Sequence, residues 1–149
     1  MFDFKQVRFA RIVLLAGGMV LAGCNDDPVV EDEPEVATMR LTIGSQVVDV
    51  DDTGAVTGGP IALTTGVNPT VTAQWLKADG SAETLVTSGV FELRAEPANT
   101  AVVTFTRTGA FAGTLDGLTA GSTQIEFSLF HLEEGHEDFG PFDVDVTVS

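Results

Sequence analysis

The sequence holds no tyrosine, one cysteine, one tryptophan and two histidines in 149 residues, with seven basic side chains against 22 acidic ones. Each shortage excludes something. A single cysteine, Cys24, cannot close an intramolecular disulfide, so the fold must rest on a packed core. Few Lys and Arg make nucleic acid and anionic headgroups poor partners, because binding them needs a basic face. The longest leading apolar run, Ile12 to Leu21, is half the ~20 residues that a membrane-spanning helix requires. No Ser-His-Asp set stands around a nucleophile elbow, no thiol is left for a Cys-His pair, and no Gly-rich phosphate loop opens a helix. The expectation is a protein that is not an enzyme.

What is present begins with an export signal. Lys5, Arg8 and Arg11 precede the short apolar run, which is the order of a secretory signal peptide. The run ends in Leu21-Ala22-Gly23-Cys24. This stretch resembles the lipobox of bacterial lipoproteins. The resemblance implies cleavage after residue 23, a diacylglycerol thioether on Cys24 and acylation of its new amino group. It also implies a lipid-anchored location in the bacterial cell envelope, on a periplasmic or outer-surface face. Multiple acyl chains fit the physics, since one chain alone anchors only marginally. The alternative is an ordinary signal peptide followed by a chance cysteine. Cleavage would remove Lys5, Arg8, Arg11 and Asp3. Four basic residues (Arg40, Lys77, Arg94, Arg107) would then face 21 acidic ones, a net charge of −17.

Residues 24–36 form the expected anchor and tether. Asp26, Asp27, Glu31, Asp32, Glu33 and Glu35 repel one another, and Pro28 and Pro34 favour extended backbone. From 37 to 149 the pattern becomes β. Val71, Ala73 and Trp75 alternate with Thr70, Thr72 and Gln74; Ile125, Phe127, Leu129 and His131 share one parity; Phe142, Val144, Val146 and Val148 share another. Turn signals recur at 51–54, 57–60, 78–80, 96–100, 107–110 and 119–122. Seven to nine antiparallel strands in an all-β sandwich are predicted. The seven Phe of this part, with Trp75 and the Val, Ile and Leu sets, suffice for its core.

Phe111 to Leu129, "FAGTLDGLTAGSTQIEFSL", is similar to the closing half of bacterial Ig-like group 2 domains, and Pro69 to Gly80 looks like an early strand and its Asp-Gly turn. The resemblance implies an Ig-like sandwich used for surface display, adhesion or spacing. A membrane through the lipid anchor, and a protein or carbohydrate of unknown identity, are the expected partners. The chain departs from the family at "HLEEGHEDFGP", where a tighter hairpin is expected.

That departure carries the one constellation with chemistry. His131 falls at the mouth of the sandwich on strand parity, and Glu133, Glu134, His136, Glu137 and Asp138 follow in what reads as a loop. Two imidazoles with one or two carboxylates suit Zn(II), Cu(II) or Ni(II). The spacing lacks the Cys pair of zinc fingers and is not the helical H-E-x-x-H of metalloproteases, since Gly135 interrupts. The plain alternative is a solvated acidic loop anchored by Phe139, so no cofactor is certain and Zn or Cu is the conditional one. "DVDDTG", Asp49 to Gly54, resembles the start of a calcium loop, with Asp49, Asp51 and Thr53 at alternate positions. Pro60 stands where a bidentate Glu is required, so the stretch reads as a hairpin turn with Asx-type capping. Arg94, beside Glu92 and Glu96, reads as a surface ion pair.

Overall fold

A computed structural model describes residues 33–149. The expected signal peptide, Cys24 and most of the acidic tether lie outside the described residues. Ten strands follow in order: β1 (Thr38–Ile43), β2 (Gln46–Asp51), β3 (Val56–Thr57), β4 (Ile61–Leu63), β5 (Thr70–Leu76), β6 (Phe91–Pro97), β7 (Val103–Gly109), β8 (Ala112–Gly117), β9 (Gly121–His131) and β10 (His136–Val148). They form two sheets, ordered β3-β2-β1-β5-β8-β7 and β4-β10-β9-β6.

The expected all-β sandwich is the observed one, with two differences. Two very short edge strands, β3 and β4, bring the count to ten rather than seven to nine. The pairing is also not wholly antiparallel, because β4 runs parallel to β10, Ile61 facing Val146 and Leu63 facing Val148. Period-two alternation cannot reveal strand direction, since either pairing buries the same parity.

The parity sets build the core. Met39, Leu41 and Ile43 of β1, Val48 and Val50 of β2, and Val71 and Trp75 of β5 face Ile125, Phe127 and Leu129 of β9 and Val144, Val146 and Val148 of β10 across one buried cluster. Trp75 lies edge-on to Phe111 and to Phe139, at centroid distances of 6.3 and 6.0 Å. Such edge-to-face pairs favour a fixed ring arrangement beyond mere burial.

The two flanks of the sandwich differ. On one, the Gln46 side chain closes the seam between β2 and β4. Its Nε2 donates to the carbonyls of Gly58 (3.0 Å) and Pro60 (2.7 Å), and its Oε1 accepts from the Ala62 amide at 3.0 Å. On the other, β6 and β7 are both sheet edges, joined near one end by the Leu93 amide donating to the Ala110 carbonyl at 2.7 Å.

The two ends of the sandwich also differ. Thr38, Asp51 and Leu76 meet at one end, where His131, His136 and Phe91 meet in the other sheet. The chain enters the domain here. The Glu35 amide donates to Glu83 Oε2, Val36 packs on the core, and the Ala37 amide donates to the Leu76 carbonyl. The domain therefore grips the chain two residues ahead of the expected boundary at 37. Ser149 lies at the opposite end, with its carbonyl accepting from Thr65.

Candidate metal centre

The geometry of the site starts from the register of three strands. Phe91 of β6, His131 of β9 and His136 of β10 stand directly opposite one another. Directly opposed residues point to the same face, and His131 shares the core-facing parity of Leu129. Its ring packs on Phe91 at 4.5 Å between centroids, which fixes it at the mouth of the sandwich.

His131 and His136 close a hairpin of only four loop residues, Leu132 to Gly135. The Gly135 amide donates to the His131 carbonyl at 2.9 Å, and Gly135 sits at φ 73°, in the left-handed region that glycine enters without a Cβ penalty. The loop expected to carry Glu133 to Asp138 is thus confined to residues 132–135. His136, Glu137 and Asp138 belong to β10, and what the sequence presents as an inserted loop is an extended hairpin arm.

A β-bulge in that arm falls at Asp138. Glu137 pairs with Phe130 and Phe139 pairs with Leu129, so Asp138 is the extra residue. In a regular strand Asp138 and Phe139 would point to opposite faces. Alternation alone sets Asp138 on the face of His136, beside the imidazoles, and the bulge resets the parity so that Phe139 also enters the core. A second irregularity follows before Phe142. There Gly140 sits at φ 84°, and a Cβ would lie 2.7 Å from the Phe127 carbonyl oxygen.

The hairpin brings four candidate ligands together. His131, Glu134 and His136 each offer one donor atom, and these lie within 4.8 Å of one another. The Asp138 carboxylate spans the two rings: Oδ1 is 2.8 Å from His136 Nε2, and Oδ2 is 3.6 Å from His131 Nδ1. Glu134 Oε2 lies 3.5 Å from His136 Nε2 and 3.8 Å from His131 Nδ1. Donors around one tetrahedral zinc, at ~2.0–2.2 Å from the ion, stand roughly 3.4 Å apart. Closure of the group by about 1 Å would fill it.

Two features mark the cluster as more than a wet acidic turn. Asp138 Oδ1 is buried and makes no hydrogen bond, although His136 Nε2 lies 2.8 Å away. A buried carboxylate oxygen without a partner is costly and needs an explanation. Among the described residues no guanidinium or ammonium supplies it, for their basic side chains are engaged elsewhere: Arg40 with Asp49, Lys77 with Glu83, and Arg94 and Arg107 with Glu92.

Two ligands are rooted and two are loose. His131 and Asp138 keep 14% and 13% of their side-chain surface exposed, against 50% for Glu134 and 54% for His136. Glu133 and Glu137 stand apart. Neither makes an ion-pair contact with an imidazole among the described residues, Glu137 because it alternates to the outer face opposite Phe130.

The other candidates resolve differently. Asp49 accepts two bonds of 2.8 Å from Arg40, which hold its carboxyl below the ordinary range. Asp51 Oδ1 accepts from the Thr53 hydroxyl (2.6 Å) and from the Thr53 and Ala55 amides (2.9 Å each), and the Thr53 bond leads in lowering its pKa. Both carboxylates serve as turn and pair partners, as an Asx-capped hairpin requires. Arg94 lies 3.3 Å from Glu92 and stacks on the Phe130 ring, 3.1 Å from its centroid. Sequence reasoning missed Glu83, whose side chain is 1% exposed. The Leu85 amide, then the Glu35 amide and Lys77, hold it below the usual glutamate range against the opposing effect of burial. It also missed the Asp138 bulge, although the odd position of Phe139 before the even set Phe142 to Val148 is a parity break that signals one.

No protein-family model matches the chain, and no curated protein matches it either. Among solved structures, it is similar to domains 4 and 5 of the S-layer protein SbsC, with 14% identity and a TM-score of 0.40 over 72% of this chain. The match spans about half, 53%, of that structure's length.

Proposed function

We propose that the chain is a lipid-anchored, non-enzymatic β-sandwich module of the bacterial envelope that holds a first-row divalent ion, Zn(II) or Cu(II), between His131, Glu134, His136 and Asp138. The observation that carries this reading is the convergence of one donor atom each from His131, Glu134 and His136 within 4.8 Å of one another, with the Asp138 carboxylate spanning the two rings. Imidazole nitrogen with carboxylate oxygen suits these borderline ions and disfavours calcium and magnesium, which take oxygen ligands. The sequence "LAGC" with its preceding apolar run supports the anchor.

Rooted and loose ligands divide the work. His131 and Asp138 provide a fixed pair, and His136 with Glu134 closes on the ion from the solvent side. An ion bound there loses the strong desolvation cost of the unpaired Asp138 oxygen and gains charge from an uncompensated acidic hairpin. The plainer reading is a structural or adhesive module whose hairpin binds no ion and whose partner is a protein or carbohydrate. Half-exposure of Glu134 and His136 is the observation in its favour.

Metal analysis and titration calorimetry on the untagged domain separate the two. The proposal expects one equivalent of Zn(II) or Cu(II), with affinity falling as the solution is acidified, because imidazole ligates only as the neutral ring. Asp138→Asn should weaken binding and leave the fold intact. No heat with any first-row divalent ion would leave the plainer reading.

A further inference from the structure

The outer edge of β6 is closed at every residue but one. The Leu132 amide donates to the Val90 carbonyl and the Ala98 amide to the Gln124 carbonyl, so even-numbered residues of this strand turn their backbone groups toward β9. Antiparallel pairing alternates that direction, and the odd-numbered residues turn outward. There the Phe91 amide donates to the Thr87 carbonyl and the Leu93 amide to the Ala110 carbonyl, while Pro97 has no N–H to offer. Ala95 is left. Among the described residues neither its amide nor its carbonyl meets a partner across the edge. A cleft between β6 and β7 keeps the position open, with Phe105 and Arg107 on its far wall.

The side chains on either side of Ala95 select what can lie against it. Arg94 and Glu96 share the outer face of the sheet, where Arg94 stacks on Phe130. An antiparallel strand that sets a second Ala95 opposite this one puts Arg94 of each chain directly opposite Glu96 of the other. The neighbouring twofold registers set Leu93 or Pro97 opposite Ala95, and they bring Arg94 against Arg94 or Glu96 against Glu96. Opposite charges facing each other across a sheet attract and like charges repel, so one register is selected. We infer that the β6 edge is a self-pairing surface, on which a second copy of this chain docks about a twofold axis at Ala95. Two reciprocal amide–carbonyl bonds join the Ala95 residues, and an Arg94–Glu96 pair flanks them on each side. Such a contact is isologous and uses itself up. The acidity of the chain opposes self-association elsewhere. Here two of the four basic residues that follow position 33, Arg94 and Arg107, balance Glu92 and Glu96. Pro97 and the Leu93–Ala110 bond keep the ladder short, so the pair is a weak and reversible one.

The test is sedimentation velocity of the full chain over a concentration series, in EDTA so that the outcome is independent of the metal reading. The wild type should pass from monomer to dimer as concentration rises. Arg94→Glu and Glu96→Arg each set like charges opposite one another at both flanking positions, and each should weaken the dimer about tenfold. A one-to-one mixture of the two variants should pair again, because the introduced glutamate of one faces the introduced arginine of the other. The double swap Arg94→Glu with Glu96→Arg should pair with itself and not with the wild type. Recovery in the mixture separates a lost contact from a lost fold, since an unfolded variant would gain nothing from its counterpart. A wild type that stays monomeric at every concentration would overturn the inference. So would a dimer that neither single variant weakens, which would lie on another face, and so would a mixture no more associated than its components.

Discussion

Two acidic turns sit at the chain-entry end of the sandwich, and they treat their carboxylates in opposite ways. In the Asp49–Gly54 turn both oxygens of Asp49 accept from Arg40, and Asp51 Oδ1 accepts from Thr53 and Ala55. In the His131–Asp138 hairpin the donors are missing. Gly140, two residues on from Asp138, offers no hydroxyl, and the nitrogens beside the carboxylate are those of the two imidazoles. Acidity alone therefore does not make a site. A Thr placed two residues after Asp51 satisfies the carboxylate locally, whereas Asp138 has only imidazole nitrogens beside it.

The largest effect that would sharpen this contrast is on metal affinity. His131→Ala with His136→Ala should reduce Zn(II) or Cu(II) binding by more than the about 100-fold that loss of even an outer-shell partner can produce. Asp49→Ala should leave it unchanged. Equal effects of the two variants, read by calorimetry, would erase the distinction between the turns. Next in size, zinc at 100 times its dissociation constant should raise the stability of the native protein by about 2.7 kcal/mol, seen as a higher unfolding midpoint. The double-histidine variant should show no such rise.

Glu83 tests whether burial of a carboxylate is itself the signal. It is more buried than Asp138 but accepts from the Glu35 and Leu85 amides. Glu83→Gln should cost about 1–3 kcal/mol, because one of these buried amides loses its acceptor, and should not change metal binding. Its folded pKa lies below the ordinary 4.5. The stabilisation is accordingly complete above about pH 4.5 and is lost as pH falls through the lower folded value. Urea titrations from pH 7 to pH 3 should show the wild type converging on the Glu83→Gln variant. The smallest effect is expected from Asp49→Ala, whose partner Arg40 is half exposed. Its unfolding midpoint should move less than that of Glu83→Gln.

Much of this was legible in the residues, for physical reasons that differ by element. Core faces were readable because alternation in "TVTAQWL" and "FDVDVTV" maps directly onto burial: Val71, Trp75, Val144, Val146 and Val148 are all inside. The meeting of His131 with His136 was readable as a possibility from a chain that folds back on itself. The selection among the carboxylates was not, because it depends on register. Strand alternation decides that Asp138 joins the rings and Glu137 does not, and one bulge lets Phe139 enter the core beside it. The parallel β4–β10 pair and the burial of Glu83 depend on contacts between residues 48 or more positions apart, which no local pattern encodes.

Gln46 has a consequence for how this domain can associate. Its carboxamide mimics a peptide group and occupies the donors and acceptors that one flank would otherwise offer. A strand that added to this seam would have to displace the Gln46 carboxamide from the Ala62 amide and the Gly58 and Pro60 carbonyls before it could pair with them. One glutamine side chain thus guards the backbone groups of a seam that strand pairing leaves uncovered.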